Sequence, residues 1–141
     1  MRKSFLTFLY CISFLAYSQA IQYDGRIYNR NNVQIGKIES DGTVRDKSNA
    51  QIGKIQADGR VYDKNNSQIG KIESDGIVRD KSNAQIGKIQ SDGRVSDRNN
   101  AQIGKINYDG VVYDRQNAQI GSAKGIRQES AAVVFFFFFD L

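Results

Sequence analysis

The chain has 141 residues, with 20 Lys and Arg against 15 Asp and Glu, so its formal net charge is +5. It is long enough for one modest domain. It has no histidine and only one cysteine, so zinc sites, iron–sulfur sites and Cys- or His-based catalysis lack their usual ligands and bases.

The N-terminus is typical of a signal peptide over residues 1–20. Arg2 and Lys3 precede an uncharged apolar run, and the segment ends in Ser18-Gln19-Ala20, which predicts cleavage after Ala20. The alternative is an uncleaved anchor, although 18 uncharged residues lie at the short end of what crosses a bilayer. We therefore predict a secreted protein, located in the periplasm, at the cell surface or outside the cell, with no transmembrane span after cleavage.

Cleavage would change the charge and the redox chemistry of the remaining chain. Without Arg2 and Lys3, 18 basic residues face 15 acidic ones, a net charge of +3, and Cys11 is lost. No disulfide is then possible. The basic residues are spread evenly along the chain, which gives no footprint for nucleic acid.

A 17-residue repeat dominates the rest of the sequence. It begins each time with Asp-Gly, and the six aspartates are Asp24, Asp41, Asp58, Asp75, Asp92 and Asp109. The glycines that follow them are predicted turn residues: Gly25, Gly42, Gly59, Gly76, Gly93 and Gly110. A repeat this regular predicts one small supersecondary unit per copy, which buries its apolar side against its neighbours.

One copy indicates two short antiparallel strands and two tight turns. Asp41-Gly42 suits a hairpin turn because glycine reaches positive φ. Val44 is predicted to point inward on the first strand, and Asn49 to adopt a left-handed conformation in the second turn. Gln51–Gln56 forms the second strand. The sequence therefore predicts an all-β fold of hairpin repeats over residues 21–125.

A glycine interrupts the alternation of the second strand. Ile52 and Ile55 are three residues apart and would point to opposite faces of a regular strand. We interpret Gly53 between them as a bulge or bend that turns both isoleucines toward apolar surroundings. The alternative is a flat strand with one isoleucine in each of two packed layers.

No polar capping repeat precedes the first copy, although an open stack would need one. This absence favours closure into a ring, which leaves no free strand edge. After the repeats comes an apolar C-terminal segment, residues 126–141, with five consecutive phenylalanines at 135–139. Exposed, they would be an aggregation hazard. We predict that this segment is a plug on the repeats, either a helix or a strand, and the alternative is docking to a membrane or partner.

The repeat phrase DGxVxDxxNxQIGKI and the closing residues Ile120 to Phe139 resemble the five-fold β-flower proteins, small secreted bacterial proteins of Bacteroidetes type. The resemblance implies five hairpin petals arranged radially about a pseudo-five-fold axis. It implies no biochemical activity.

In five of the six copies a lysine follows the glycine of the second strand, and these five are candidate ligand-binding residues: Lys37, Lys54, Lys71, Lys88 and Lys105. A ring of them would attract a polyanion, whereas lysines on strands also serve to keep an exposed face soluble. The repeated aspartates and asparagines suit turns better than calcium.

Nearly identical units mark no single pair of acids for catalysis. We therefore predict a non-enzymatic structural or interaction module of the cell envelope, with no catalytic residue, cofactor or metal. Its partner would be a glycan or a cell-envelope protein, and the alternative is a glycan- or anion-binding module that uses one face of the ring.

Overall fold

The structure is a computed structural model and describes residues 25–141. The predicted signal peptide lies outside the described residues. Twelve strands follow one another along the chain: β1 (Arg26–Asn29), β2 (Gln34–Ile38), β3 (Thr43–Asp46), β4 (Gln51–Ile55), β5 (Arg60–Asp63), β6 (Gln68–Ile72), β7 (Ile77–Asp80), β8 (Gln85–Ile89), β9 (Arg94–Asp97), β10 (Gln102–Ile106), β11 (Val111–Asp114) and β12 (Gln119–Ser122).

The strands close into a barrel. Each strand pairs antiparallel with the next one in sequence, and β1 completes the circle by pairing with β12, with Tyr28 opposite Ser122 and Asn29 opposite Gly121. Closure consumes both free edges, as the lack of capping repeats predicted. The all-β, radial hairpin fold is confirmed.

The number of units differs from the five petals that the resemblance implied. Twelve strands make six two-strand units, because the sixth copy still forms β12 although it diverges at Ser122. Pairing in a sheet uses backbone groups, so the loss of the usual lysine at this position does not prevent it.

Two kinds of tight turn connect the strands, one at each end of the barrel. In the Asp-Gly turns, Gly42 has φ 94° and its N–H donates to the carbonyl of Glu39 at 2.9 Å. In the opposite turns, Asn49 has φ 67°, so its predicted left-handed conformation is confirmed. Asn and Gly are the residues that reach positive φ at low cost.

A bulge occurs in the second strand of every unit. In the pairing of β3 with β4, Val44 faces Gly53 and Arg45 faces Gln51, so Ile52 is the extra residue. Ile55 is buried, and Ile52 is half-buried against the same core cluster. The predicted bulge is therefore confirmed, displaced by one residue from the glycine, and the flat-strand alternative is wrong.

The inner wall of the barrel carries a layer of β-branched side chains at mid-height. One residue from the first strand of each unit has 0 % exposure: Ile27, Val44, Val61, Val78, Val95 and Val112. The isoleucines that end β4, β6, β8 and β10 are also buried, next to the Asp-Gly turns. A ring of twelve strands is wider than one that side chains alone fill, so the axis needs further material.

The C-terminal segment supplies that material as a helix, which decides between the two predicted alternatives. A short helix, α1 (Gln128–Ala132), continues into a π-helical turn, Val133–Phe137. The N–H of Phe138 donates to the carbonyl of Val133 at 2.9 Å, the i to i−5 bond of a π-helix. Ala131–Val134 have exposures of 0 to 3 %, so this segment fills the axis.

Candidate functional site

Each phenylalanine of the plug lies on the glycine of one unit. A Cβ atom built on Gly87 would lie 2.5 Å from Phe137 Cζ and 2.5 Å from the carbonyl oxygen of Ser96, a separation that real Cβ atoms do not show. The φ of Gly87 is not positive, so its backbone conformation does not call for glycine. The lack of space for a Cβ atom does. The same relation holds in sequence order around the ring, with Phe135 on Gly121, Phe136 on Gly104, Phe137 on Gly87, Phe138 on Gly70, Phe139 on Gly53 and Leu141 on Gly36.

The π-helical turn explains how consecutive residues reach consecutive units. Six units divide the circle into steps of about 60°, whereas an α-helix advances about 100° per residue. A wider turn advances less per residue and follows the ring more closely. The plug contacts the units in reverse order, from the sixth to the first. Leu141 contacts Gly36, the glycine of the first unit. This end of the chain is a core component, so we place the functional surface elsewhere.

The five predicted lysines lie on the outer wall. They occupy every second strand, β2 to β10, and each follows the inward-facing glycine of its strand, so each points outward. All five are half-buried by their neighbours on the wall. In the part of the chain that the structure describes, no ion pair includes any of them.

The intervening strands add arginines that sequence reasoning did not assign to this surface. Arg26 pairs in register with Lys37, and Lys37 with Arg45, which places all three on the same face. Ten consecutive strands each present one cation on the outer wall: Arg26, Lys37, Arg45, Lys54, Arg60, Lys71, Arg79, Lys88, Arg94 and Lys105. Neighbouring strands are about 4.8 Å apart, so the even spacing of charge along the chain becomes a basic wall in the barrel.

The acidic residues of the described strands are held apart from this wall. They are the aspartates that end β3, β5, β7, β9 and β11, and Asp46 lies opposite Gly36 rather than in a row of cations. Asp46 Oδ1 accepts hydrogen bonds from the N–H groups of Ser48 at 2.8 Å and Ala50 at 3.0 Å. These carboxylates therefore close turns. The described residues contain no cluster of acids that would hold a metal ion.

The cations form rows that differ between alternate units. Lys71 lies between Arg60 and Arg79 in register, as Lys37 lies between Arg26 and Arg45. Lys88, in contrast, lies between Ile77 and Ser96. Lys54 lies between Thr43 and Tyr62, and Lys105 between Arg94 and Tyr113. The underlying sequence signal is an alternation after Asp-Gly in the first four copies, RxY in the first and third and (T/I)xR in the second and fourth, whereas the fifth copy reads RVS and the sixth VVY.

Acidic side chains at the Asp-Gly end hold several of these arginines in place. Arg45 Nε lies 3.2 Å from Glu39 Oε1, and its Nη1 donates to the carbonyl of Asn49 at 3.1 Å. Arg79 makes the matching contacts with Glu73 at 3.2 Å and with the carbonyl of Asn83 at 3.2 Å. Each guanidinium is thereby extended along the wall with its conformational freedom reduced.

Two aspartates of the Asp-Gly turns respond to this environment. The backbone N–H of Thr43, followed by its side-chain hydroxyl, lowers the pKa of Asp41, and the charge of Lys54 acts in the same direction. The backbone N–H of Arg94 lowers the pKa of Asp92, as do the Arg94 side chain and the charge of Lys105. Both carboxylates are therefore ionised at neutral pH and unsuited to act as general acids.

A groove of about 660 Å³ lies at the Asp-Gly end, between the first turns and the start of the plug. Lys37, Glu39, Asp41 and Arg127 contribute its charged groups. Charges of both signs line it, and no pair of these groups resembles an acid–base couple.

No helix among the described residues is long and apolar enough to cross a bilayer. A family model described as "5-fold beta-flower protein" matches residues 21–139, which is most of the chain. No curated protein and no solved structure matches.

Proposed function

We propose that this chain, which belongs to the 5-fold β-flower family, is a secreted, non-enzymatic interaction module of the cell envelope that binds an anionic glycan on its basic wall. The single observation that supports this most is the presence of one outward cation on each of ten consecutive strands. Summed charge over a continuous surface attracts a polyanion more strongly than isolated charges do.

The repeat itself supports a binding role over a catalytic one. Catalysis needs one group unlike its surroundings, with a perturbed pKa in a cleft. Here the aspartates recur in every unit and serve as turn acceptors. A repeated surface instead offers several equivalent contacts to a repeated polymer, which raises the affinity without any new type of contact.

A pair of polymers that share one backbone tests the binding role. Immobilised dextran sulfate and uncharged dextran are exposed to the protein at increasing salt. We expect binding to dextran sulfate alone, and a steep decline in affinity between 50 and 300 mM salt, because exposed charges are screened over about 10 Å at 0.1 M. No binding, equal binding to uncharged dextran, or binding that ignores salt would refute the proposal.

Secretion is tested separately. Export in a bacterial host followed by N-terminal sequencing should give a mature chain that begins at Ile21. A chain that retains Met1 and stays in the cytoplasm would contradict the secreted location and leave the glycan experiment unaffected.

A further inference from the structure

We infer that the glycan contacts are concentrated on two rows of three cations, and that Lys37 and Lys71 at their centres are the main specificity-determining residues. The rows are Arg26–Lys37–Arg45 and Arg60–Lys71–Arg79, each lying straight across three strands. This inference rests on the proposed function and names where on the wall the sulfated or carboxylated polymer lies.

The register supports these two rows because it places like charges directly opposite one another. Like charges placed directly opposite each other on neighbouring strands are destabilising. The fold does not require them, since Lys88 occupies the same position in its unit between Ile77 and Ser96. An arrangement that costs stability in some units and is absent from others is typical of a binding surface.

One arginine of each row, Arg45 or Arg79, is also better prepared for an anion than the central lysine is. Glu39 and Asn49 hold Arg45, and Glu73 and Asn83 hold Arg79. A guanidinium held in one geometry loses less conformational entropy when it binds an oxyanion. The paired acids reduce the net charge of each row, so the unpaired lysine at its centre decides the attraction.

Where the arginine of such a row is absent, its acidic partner is absent too. In the remaining unit of this type, Tyr113 replaces the arginine and Asn107 replaces the glutamate. The row Arg94–Lys105–Tyr113 therefore has neither the second arginine nor its clamp. Lys37 and Lys71 are four strands apart in a barrel of twelve, so the two complete rows lie about a third of the circumference from each other.

A matched pair of double variants separates a local site from a uniform wall. Lys37→Gln/Lys71→Gln removes the centres of both rows, and Lys54→Gln/Lys88→Gln removes the same number of charges at equivalent, equally half-buried positions. We expect the first variant to weaken binding to dextran sulfate by about tenfold and the second by less than about threefold.

Thermal unfolding provides a second readout. Because Lys71 faces Arg60 and Arg79, the first variant should melt at a temperature equal to or above that of the wild type, whereas Lys54→Gln/Lys88→Gln should not gain stability. Retained stability with weakened binding excludes misfolding as the cause.

The possible outcomes separate this inference from the proposed function. Equal weakening by both variants would overturn the inference and leave the proposed function intact. No binding by the wild type would overturn both. Duplex DNA that binds the wild type as tightly as dextran sulfate, with the same loss in the first variant, would overturn the assignment to a glycan.

Discussion

The fit between ring and glycine predicts that Gly70→Ala destabilises the fold much more than Gly36→Ala. The two positions are matched, because a Cβ atom on Gly70 would lie 2.7 Å from the carbonyl oxygen of Arg79, and one on Gly36 would lie 2.7 Å from that of Arg45. They differ only in what lies above them. At Gly70 a Cβ overlaps the ring of Phe138, whereas at Gly36 it lies 2.9 Å from Leu141 Cδ1.

The magnitude follows from how easily each neighbour can move. The atom that a Cβ on Gly36 would meet is the end of the flexible side chain of Leu141, which can shift at small cost. The ring of Phe138 is rigid and lies beside that of Phe137, with 6.4 Å between the two centroids. Overpacking of a fixed core costs about 1–3 kcal/mol, and we expect this amount as the difference between the two variants.

Urea unfolding at equilibrium measures the difference. With a slope of about 1–1.5 kcal/mol per M for a small domain, the midpoint for Gly70→Ala should fall roughly 0.7–3 M below that for Gly36→Ala. In a background of Phe138→Ala, the added methyl at Gly70 should cost no more than it does at Gly36. Equal midpoints for the two single variants would refute the reasoning that these glycines are required as seats for the rings.

Three further predictions concern the turns, the acid stability and the plug. Asn66→Gly should change the urea midpoint little, whereas Asn66→Val should lower the free energy of unfolding by about 1–2 kcal/mol, because φ is 64° at this position. Because the pKa of Asp92 is lowered in the folded state, this carboxylate stabilises the fold above its unfolded pKa of about 3.9, and the stabilisation is lost as the pH falls through the lower folded pKa. The urea midpoint of Asp92→Asn should therefore fall less than that of the wild type between pH 5 and 2. An identical decline in both proteins would contradict the shift. Phe137→Ala should lower the free energy of unfolding by about 2–4 kcal/mol, and deletion of Leu141 by less than about 2 kcal/mol, in the same urea assay; equal losses would show that the rings are not the main anchors.

Much of the fold could be predicted from single residues with a local physical meaning. Asn49 and Gly42 reach positive φ, and Val44 alternates with polar neighbours, so the turns and strands follow from the repeat. The lack of capping repeats predicted closure. Only one of the two roles of Gly53 could be predicted from the sequence. The bulge is a local property of the strand, whereas the contact of Phe139 with this glycine joins residues far apart in the chain.

The candidate surface shows the same division. The regular lysines were visible in the sequence, and their outward direction follows from alternation along the strand. Their arginine neighbours were not, because a cross-strand pair depends on register, and the bulge at Ile52 sets that register.

The sequence by itself determined the repeating unit, its turns and the need to bury five phenylalanines, because these depend on backbone preference and on apolar area. The tertiary structure decided that six units close the barrel, that the plug places one apolar side chain on the second-strand glycine of each unit, and that cations spaced evenly along the chain lie in rows on one wall. The number of units depends on the pairing of β1 with β12, the place of each phenylalanine on contacts between residues far apart in the chain, and the rows of cations on the register of neighbouring strands.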